Sequence, residues 1–293
     1  KCKGYHACAF RGGEASLNQT MICPVCMHHC RLAPGQLGRC RARKNVQGKS
    51  ASVNYGKLTA LALDPIEKKP LRHFYPGSKI LSVGSFGCNL TCPFCQNHEI
   101  SMRGEKAAAH IEMMPLQLAE LAEEARPRGN IGVAYTYNEP LVGYEFVRDC
   151  ALIVHARGMK NVLVTNGSAE LEVLEALLPH IDAMNIDLKG FSEAYYQKLG
   201  GDLRTVQRFI SRAAKAVHVE VTTLIVPGEN DTAAEMEAEA SWLASIDPEI
   251  PLHVTRFFPR YHMQDREATA VDAVHRLRDV AARHLHHVHA GNC

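Results

Sequence analysis

The sequence predicts an α/β fold: a partial (βα)6 barrel, TIM-barrel-like, that carries a small N-terminal cysteine-rich unit. Three observations predict it. From about residue 78 onward, short β-branched runs alternate with longer amphipathic stretches, the pattern of a parallel sheet built from strand–helix units. Several of these runs end on polar residues, as strands do at the mouth of such a barrel. Six of the eleven cysteines lie before residue 77, in a stretch with little helical periodicity.

Six strands are expected: KILSVGS (79–85), IGVAYTY (131–137), NVLVTNG (161–167), DAMNIDL (182–188), HVEVTTLIV (218–226) and PLHVTRF (251–257). A seventh short run, HHVHA (286–290), closes or edges the sheet. Helical spacing marks 115–126, where Leu116, Leu118 and Leu121 recur, and 143–157, with Phe146, Val147 and Ile153. It continues over 169–179, 203–216, 232–245 and 271–284. Pro115 suits a first helical turn, Gly158 and Gly167 suit the ends of elements, and Asp231 and Thr232 offer capping side chains. Residues 1–77 form the cysteine-rich unit, with hairpin-like strands at 50–64, and 78–293 form the barrel; the boundary falls near Gly77. No low-complexity linker separates the two, so they are expected to pack tightly.

A chain of 293 residues with 46% hydrophobic content can bury a large core. Its net charge of +2 is too small for the basic field of a dedicated nucleic-acid binder, and nucleic acid is not an expected partner. Apolar runs such as LTALAL (58–63) fall far short of a membrane span of roughly 20 residues. The start, KCKGYHACAF, shows no secretory pattern, so the cytoplasm is the expected compartment. Eleven cysteines, an odd number with seven in two tight groups, fit metal or iron–sulfur ligation better than a disulfide framework.

The first group is GCNLTCPFCQN (87–97), where Cys88, Cys92 and Cys95 leave three and then two residues between them, just after a predicted strand. One loop can aim three such thiolates at one cluster. Three thiolates leave one iron without a protein ligand, and an open iron can chelate a small molecule. A zinc knuckle that borrows His98 is the structural alternative.

This loop resembles the radical S-adenosylmethionine (SAM) superfamily motif, three cysteines with an aromatic before the last. The resemblance implies a 4Fe-4S cluster on Cys88, Cys92 and Cys95 whose open iron binds SAM, reductive cleavage of SAM to a 5′-deoxyadenosyl radical, and Phe94 against the adenine. It also implies an electron donor such as flavodoxin or ferredoxin. TYNEP (136–140) stands where that family carries GGEP, which points to Asn138 and Glu139 as contacts to the methionine amino group; the two glycines are replaced here.

TNG (165–167) and NIDLKG (185–190) resemble segments of the glycyl-radical-enzyme activases, including the pyruvate formate-lyase type, that line the methionine end of SAM. Thr165, Asn166, Asp187 and Lys189 carry over; a structural Asp187–Lys189 ion pair is the plain alternative. Val164 replaces an acidic residue of that group, which weakens the case for a cation site. TTLIVPGEND (222–231) resembles a later strand and turn and is assigned a structural role. FFPRYH (257–262) places His262 beyond the sixth strand, on the face where SAM or substrate would sit.

The second group is Cys23, Cys26, Cys30 and Cys40, in the order C-x2-C-x3-C-x9-C, with His28, His29, Cys2 and Cys8 nearby. A unit with so few apolar residues gains stability from a metal, and zinc and a second iron–sulfur cluster both remain open. Cys150 sits in a helical apolar pattern and reads as core.

CPVCMHHCRLAPGQLGRCRAR, YGKLTALALDPIEKKPLRHFYPGSKILSVGSFGCNLTCPFCQN, YTYNEP, VLVTNG, MNIDLKGFSE, VEVTTLIVPGEND and HVTRFFPRY together resemble the radical SAM enzyme of the AmmeMemoRadiSam system. That resemblance implies AMMECR-type and Memo-type proteins as partners, and hydrogen abstraction from a substrate it does not specify. Two other readings stand beside it: a glycyl-radical-enzyme activating enzyme, and a non-enzymatic metal-binding scaffold for those partners.

Overall fold

A computed structural model describes residues 19–293. Eight strands form one sheet: β1 (Ala60–Pro65), β2 (Lys79–Gly84), β3 (Asn130–Tyr135), β4 (Lys160–Thr165), β5 (Ala183–Asp187), β6 (His218–Ile225), β7 (Leu252–Arg256) and β8 (Val288–Gly291). They lie side by side in chain order, with β1 and β8 at the edges. Every neighbouring pair from β2 to β8 is parallel, and only β1 runs antiparallel to β2. All seven predicted runs are therefore parallel strands of a partial barrel, and the seventh forms an edge.

Strands covered on both faces must be apolar on both, and Val133, Val162, Leu163, Met184 and Val221 are fully buried. Outside them lie Pro115–Glu124, Tyr144–Ala156, Leu171–Leu177, Leu203–Ala213, Ala233–Ile246 and Val271–Ala281, the six expected helices. Leu118, Val154, Leu174, Phe209 and Leu243 carry the helices' buried faces into one core, where Cys150 also lies. Thr232 caps its helix by accepting from the Glu235 N–H at 3.2 Å. Gly158 and Gly167 take left-handed backbone at φ 67° and 63°.

The segment expected as hairpin-like strands at 50–64 divides among three partners. Lys49–Ser52 pairs back on Arg43–Val46, Lys57–Leu58 pairs with Ile111–Glu112, and Ala60–Pro65 covers the edge of β2. An uncovered parallel edge would expose a row of unpaired backbone groups, which β1 shields. The hairpin is tied to the barrel through Arg43, buried and 2.6 Å from Glu145.

A strap after β1 closes the floor of the barrel. Ile66 and Leu71 are fully buried against Ile80, Ala134, Val162 and Ala183. Glu220, inside β6, holds the strap: it accepts the N–H groups of Arg72 (3.0 Å) and His73 (2.8 Å) and pairs with His218 (3.0 Å) and His253 (2.6 Å). Burial pushes this carboxyl up, but the four donors hold it well below the usual carboxylate range.

Candidate active site

The loop after β2 carries the first cysteine group and is held from both sides. The Asn138 side chain accepts from Ser85 N–H (2.8 Å) and donates to the carbonyls of Phe86 (3.2 Å) and Gly87 (3.1 Å). Expected as a ligand contact, Asn138 lines the cavity described below, with its side-chain polar atoms hydrogen-bonded to this loop. Gly87 has φ 88°, and a Cβ there would lie 2.4 Å from the Cys40 carbonyl oxygen, so only glycine fits.

Cys88, Cys92 and Cys95 are all free thiols, and all three line one cavity of about 680 Å³ at the C-terminal ends of the strands. Cys88 accepts from Leu90 N–H (3.4 Å) and from the Asn166 amide (3.7 Å). Burial pushes the Cys88 thiol well up and Cys92 up to about 11. Neighbouring buried thiols thus stay protonated without a metal, and metal binding would release their protons.

The polar strand ends meet around the same cavity. Glu139, fully enclosed, accepts from Thr165 Oγ1 (2.7 Å), Asn166 N–H (2.8 Å) and Leu141 N–H (3.0 Å). Burial raises its carboxyl to about 7. Asp187 and Lys189 form an ion pair at 2.6 Å on the cavity wall. Burial opposes the charge on Lys189, but Asp187 and Cys92 beside it more than offset this and keep it cationic. Phe94 is buried, lines the cavity, and meets Phe257 edge-on at 6.4 Å.

His262 is the exception among the expected residues. It is exposed, its ring lies 3.7 Å from that of Tyr261, and its backbone N–H donates to the Pro93 carbonyl at 2.8 Å. It braces the cysteine loop from outside and does not line the cavity; Arg260 does. His98, the alternative fourth ligand, is stacked on Tyr261 at 4.4 Å, with Nδ1 3.2 Å from the Cys95 carbonyl oxygen.

Asn89 is a residue that sequence reasoning missed, although it sits inside the motif. Its amide donates to the Ser168 carbonyl (2.6 Å), and its oxygen accepts from Asn166 (3.0 Å). Its backbone carbonyl meets His28 Nε2 at 2.8 Å. His253 was also passed over: it is an inward residue of a strand read only as core, and it lines the far end of the cavity.

Cys23, Cys26 and Cys40 are buried and Cys30 half-buried, all as free thiols. Backbone N–H groups of His28 point at Cys26, and those of Ala42 and Arg43 at Cys40. Cys2 and Cys8 lie outside the described residues. Among the described residues, no three His, Cys, Asp or Glu side chains gather about one ion-sized point, at either cysteine group.

The donor set at the mouth suits an iron–sulfur cluster: three free thiols of one loop that line a cavity with room for a ligand. A parallel barrel places its active site at this end of the strands, where these side chains meet. The profile of the Radical SAM superfamily matches residues 82–242, more than half of the chain, and the chain belongs to that superfamily. Membership implies a 4Fe-4S cluster and SAM.

An uncharacterized protein of Methanocaldococcus jannaschii is 39% identical over 274 residues, 92% of this chain and 80% of that one. GTP 3′,8-cyclase of Pseudomonas savastanoi is 25% identical over 150 residues, 49% of this chain and 44% of the cyclase. Among solved structures, Streptococcus suis SuiB bound to S-adenosylmethionine superposes with a TM-score of 0.58 at 12% identity, over 73% of this chain and 52% of SuiB. The chain thus spans about half of SuiB and less of the cyclase. Among the described residues no helix is long and apolar enough to cross a membrane.

Proposed function

We propose that this protein binds SAM at a cluster on Cys88, Cys92 and Cys95 and uses it to abstract hydrogen from a substrate held in the same cavity. The observation that carries this reading is the three free thiols on one wall of a cavity of about 680 Å³ that also takes in Glu139, Asn166, Asp187 and Lys189. When bound, the cluster supplies an electron that cleaves SAM to methionine and the 5′-deoxyadenosyl radical. Phe94 offers an aromatic face at the cavity wall for the adenine. Glu139 sets the spacing of the β3 and β4 ends, where Thr165 and Asn166 stand. Asp187 offers a carboxylate, and Lys189 a positive charge beside the thiolates that a cluster requires.

The same reading takes flavodoxin or ferredoxin as electron donor, AMMECR-type and Memo-type proteins as partners, and a reducing, cytoplasmic setting in which the thiols stay free. Cys23, Cys26, Cys30 and Cys40 are proposed as a further metal site, for zinc or a second cluster. Anaerobically reconstituted protein, reduced with dithionite and given SAM, should yield 5′-deoxyadenosine and methionine in equal amounts, and Cys92→Ala should yield neither. Reconstituted protein that leaves SAM intact defeats the proposal.

A further inference from the structure

The two cysteine groups, 48 residues apart between Cys40 and Cys88, are built as one unit. Gly87 and Asn89, the two neighbours of Cys88, are the points of contact. On one side the backbone of Gly87 lies against the Cys40 carbonyl so closely that no side chain fits between them. On the other, the Asn89 side chain lies beside the Cys26 thiol, and its oxygen lies 4.0 Å from Cys88 Sγ. His28 adds a 2.8 Å contact to the Asn89 carbonyl, and Met27 packs with Cys88, Cys92 and Cys95 in one apolar cluster. A single side chain therefore stands beside a sulfur of each group.

A structural metal gains nothing from this contact, whereas an electron relay depends on it. Zinc has no redox chemistry, so of the two metal centres that four thiolates suit, only an iron–sulfur cluster can relay an electron. Cys23, Cys26, Cys30 and Cys40 are all free thiols. The N–H groups aimed at Cys26 and Cys40 are the kind of donor that tunes the potential of an iron–sulfur cluster.

We propose that Cys23, Cys26, Cys30 and Cys40 hold a second, four-thiolate iron–sulfur cluster that takes one electron from a protein reductant of the flavodoxin or ferredoxin class and passes it across Asn89 to the first. No atom moves in this step: the donor is oxidised by one electron, the second cluster is reduced and then reoxidised, and the first is reduced. The relay rests on the proposal that Cys88, Cys92 and Cys95 hold the SAM-binding cluster.

The test uses the full chain reconstituted without oxygen, read by iron, sulfide and zinc content and by electron paramagnetic resonance. The triple variant Cys88→Ala, Cys92→Ala, Cys95→Ala should keep about half of the wild-type iron and a reduced-cluster signal indifferent to SAM. Cys26→Ala, with Cys40→Ser as a second variant should the first misfold, should lose the other half and keep the SAM-sensitive signal. In these variants the first cluster should still accept electrons from dithionite, while its reduction by flavodoxin hydroquinone slows roughly tenfold or more. Stoichiometric zinc without iron in the triple variant, or neither metal, overturns the second cluster. An unchanged flavodoxin rate in Cys26→Ala overturns the relay. If instead the triple variant keeps all of the wild-type iron, it is the assignment of the first cluster that fails.

Discussion

The Thr165 hydroxyl donates a 2.7 Å hydrogen bond to Glu139 Oε1, tying the ends of two neighbouring strands directly beside the cysteine loop. Asn166 N–H fills the second carboxylate oxygen at 2.8 Å, so both oxygens of Glu139 are committed as acceptors. Glu139→Gln turns one acceptor into an NH2 group that faces a donor. It should cost about 1–3 kcal/mol and lower SAM cleavage roughly tenfold by moving Asn166 relative to Cys88. Thermal melts and 5′-deoxyadenosine yields check this; a variant as stable and as active as the parent would show that the carboxylate does not set the strand ends.

Glu239 on the helix Ala233–Ile246 is fully buried with the Thr223 hydroxyl as its partner, and burial raises its carboxyl to about 8. A folded-state value above the unfolded one means stability that is present below about pH 4.5 and lost as pH rises toward about 8. The loss approaches about 1.4 kcal/mol per pH unit within that window. Glu239→Gln should therefore gain on the wild type as pH rises from 5 to 9. Urea unfolding at both pH values measures the gap, and a constant gap contradicts the assignment.

Glu220 has the opposite sign. Its carboxyl lies below the ordinary range, so the stability it gives is present above about pH 4.5 and is lost as pH falls. Glu220→Gln keeps the shape but removes the charge that four donors share, and should cost about 3 kcal/mol near neutrality. Limited proteolysis should cut the variant within residues 66–77, where the strap loses its hold, faster than the parent. Equal cutting rates would place the strap's stability in Ile66 and Leu71 alone.

Gly87→Ala puts a Cβ 2.4 Å from the Cys40 carbonyl oxygen, at φ 88°. Relief requires the cysteine loop and the N-terminal unit to part, with an expected loss of about 2–4 kcal/mol. Iron retained after reconstitution should fall together with the melting temperature. A variant that keeps both would mean the two parts can separate freely.

The barrel was legible because its strands are apolar runs flanked by helical periodicity, from Lys79–Gly84 through Leu252–Arg256. So was the meeting of Glu139, Thr165, Asn166, Asp187 and Lys189 at one mouth, since parallel strands bring their C-terminal ends together. Register and side-chain direction were not legible. Asn138 differs from Glu139 by one position, yet its amide turns back into the loop at Ser85. His262 follows a strand end, but the turn at Tyr261, with φ 53°, carries it outside. The docking of His28 on Asn89 depends on how two distant segments pack, and no local pattern encodes it.

The central claim is that an iron held by Cys88, Cys92 and Cys95 has a free position that SAM occupies. Electron paramagnetic resonance of the reduced, reconstituted protein with and without SAM tests it most directly. SAM should shift the signal of the wild type and of Cys26→Ala, and the triple cysteine-to-alanine variant should show no SAM-dependent change. A wild-type signal identical with and without SAM would contradict the account.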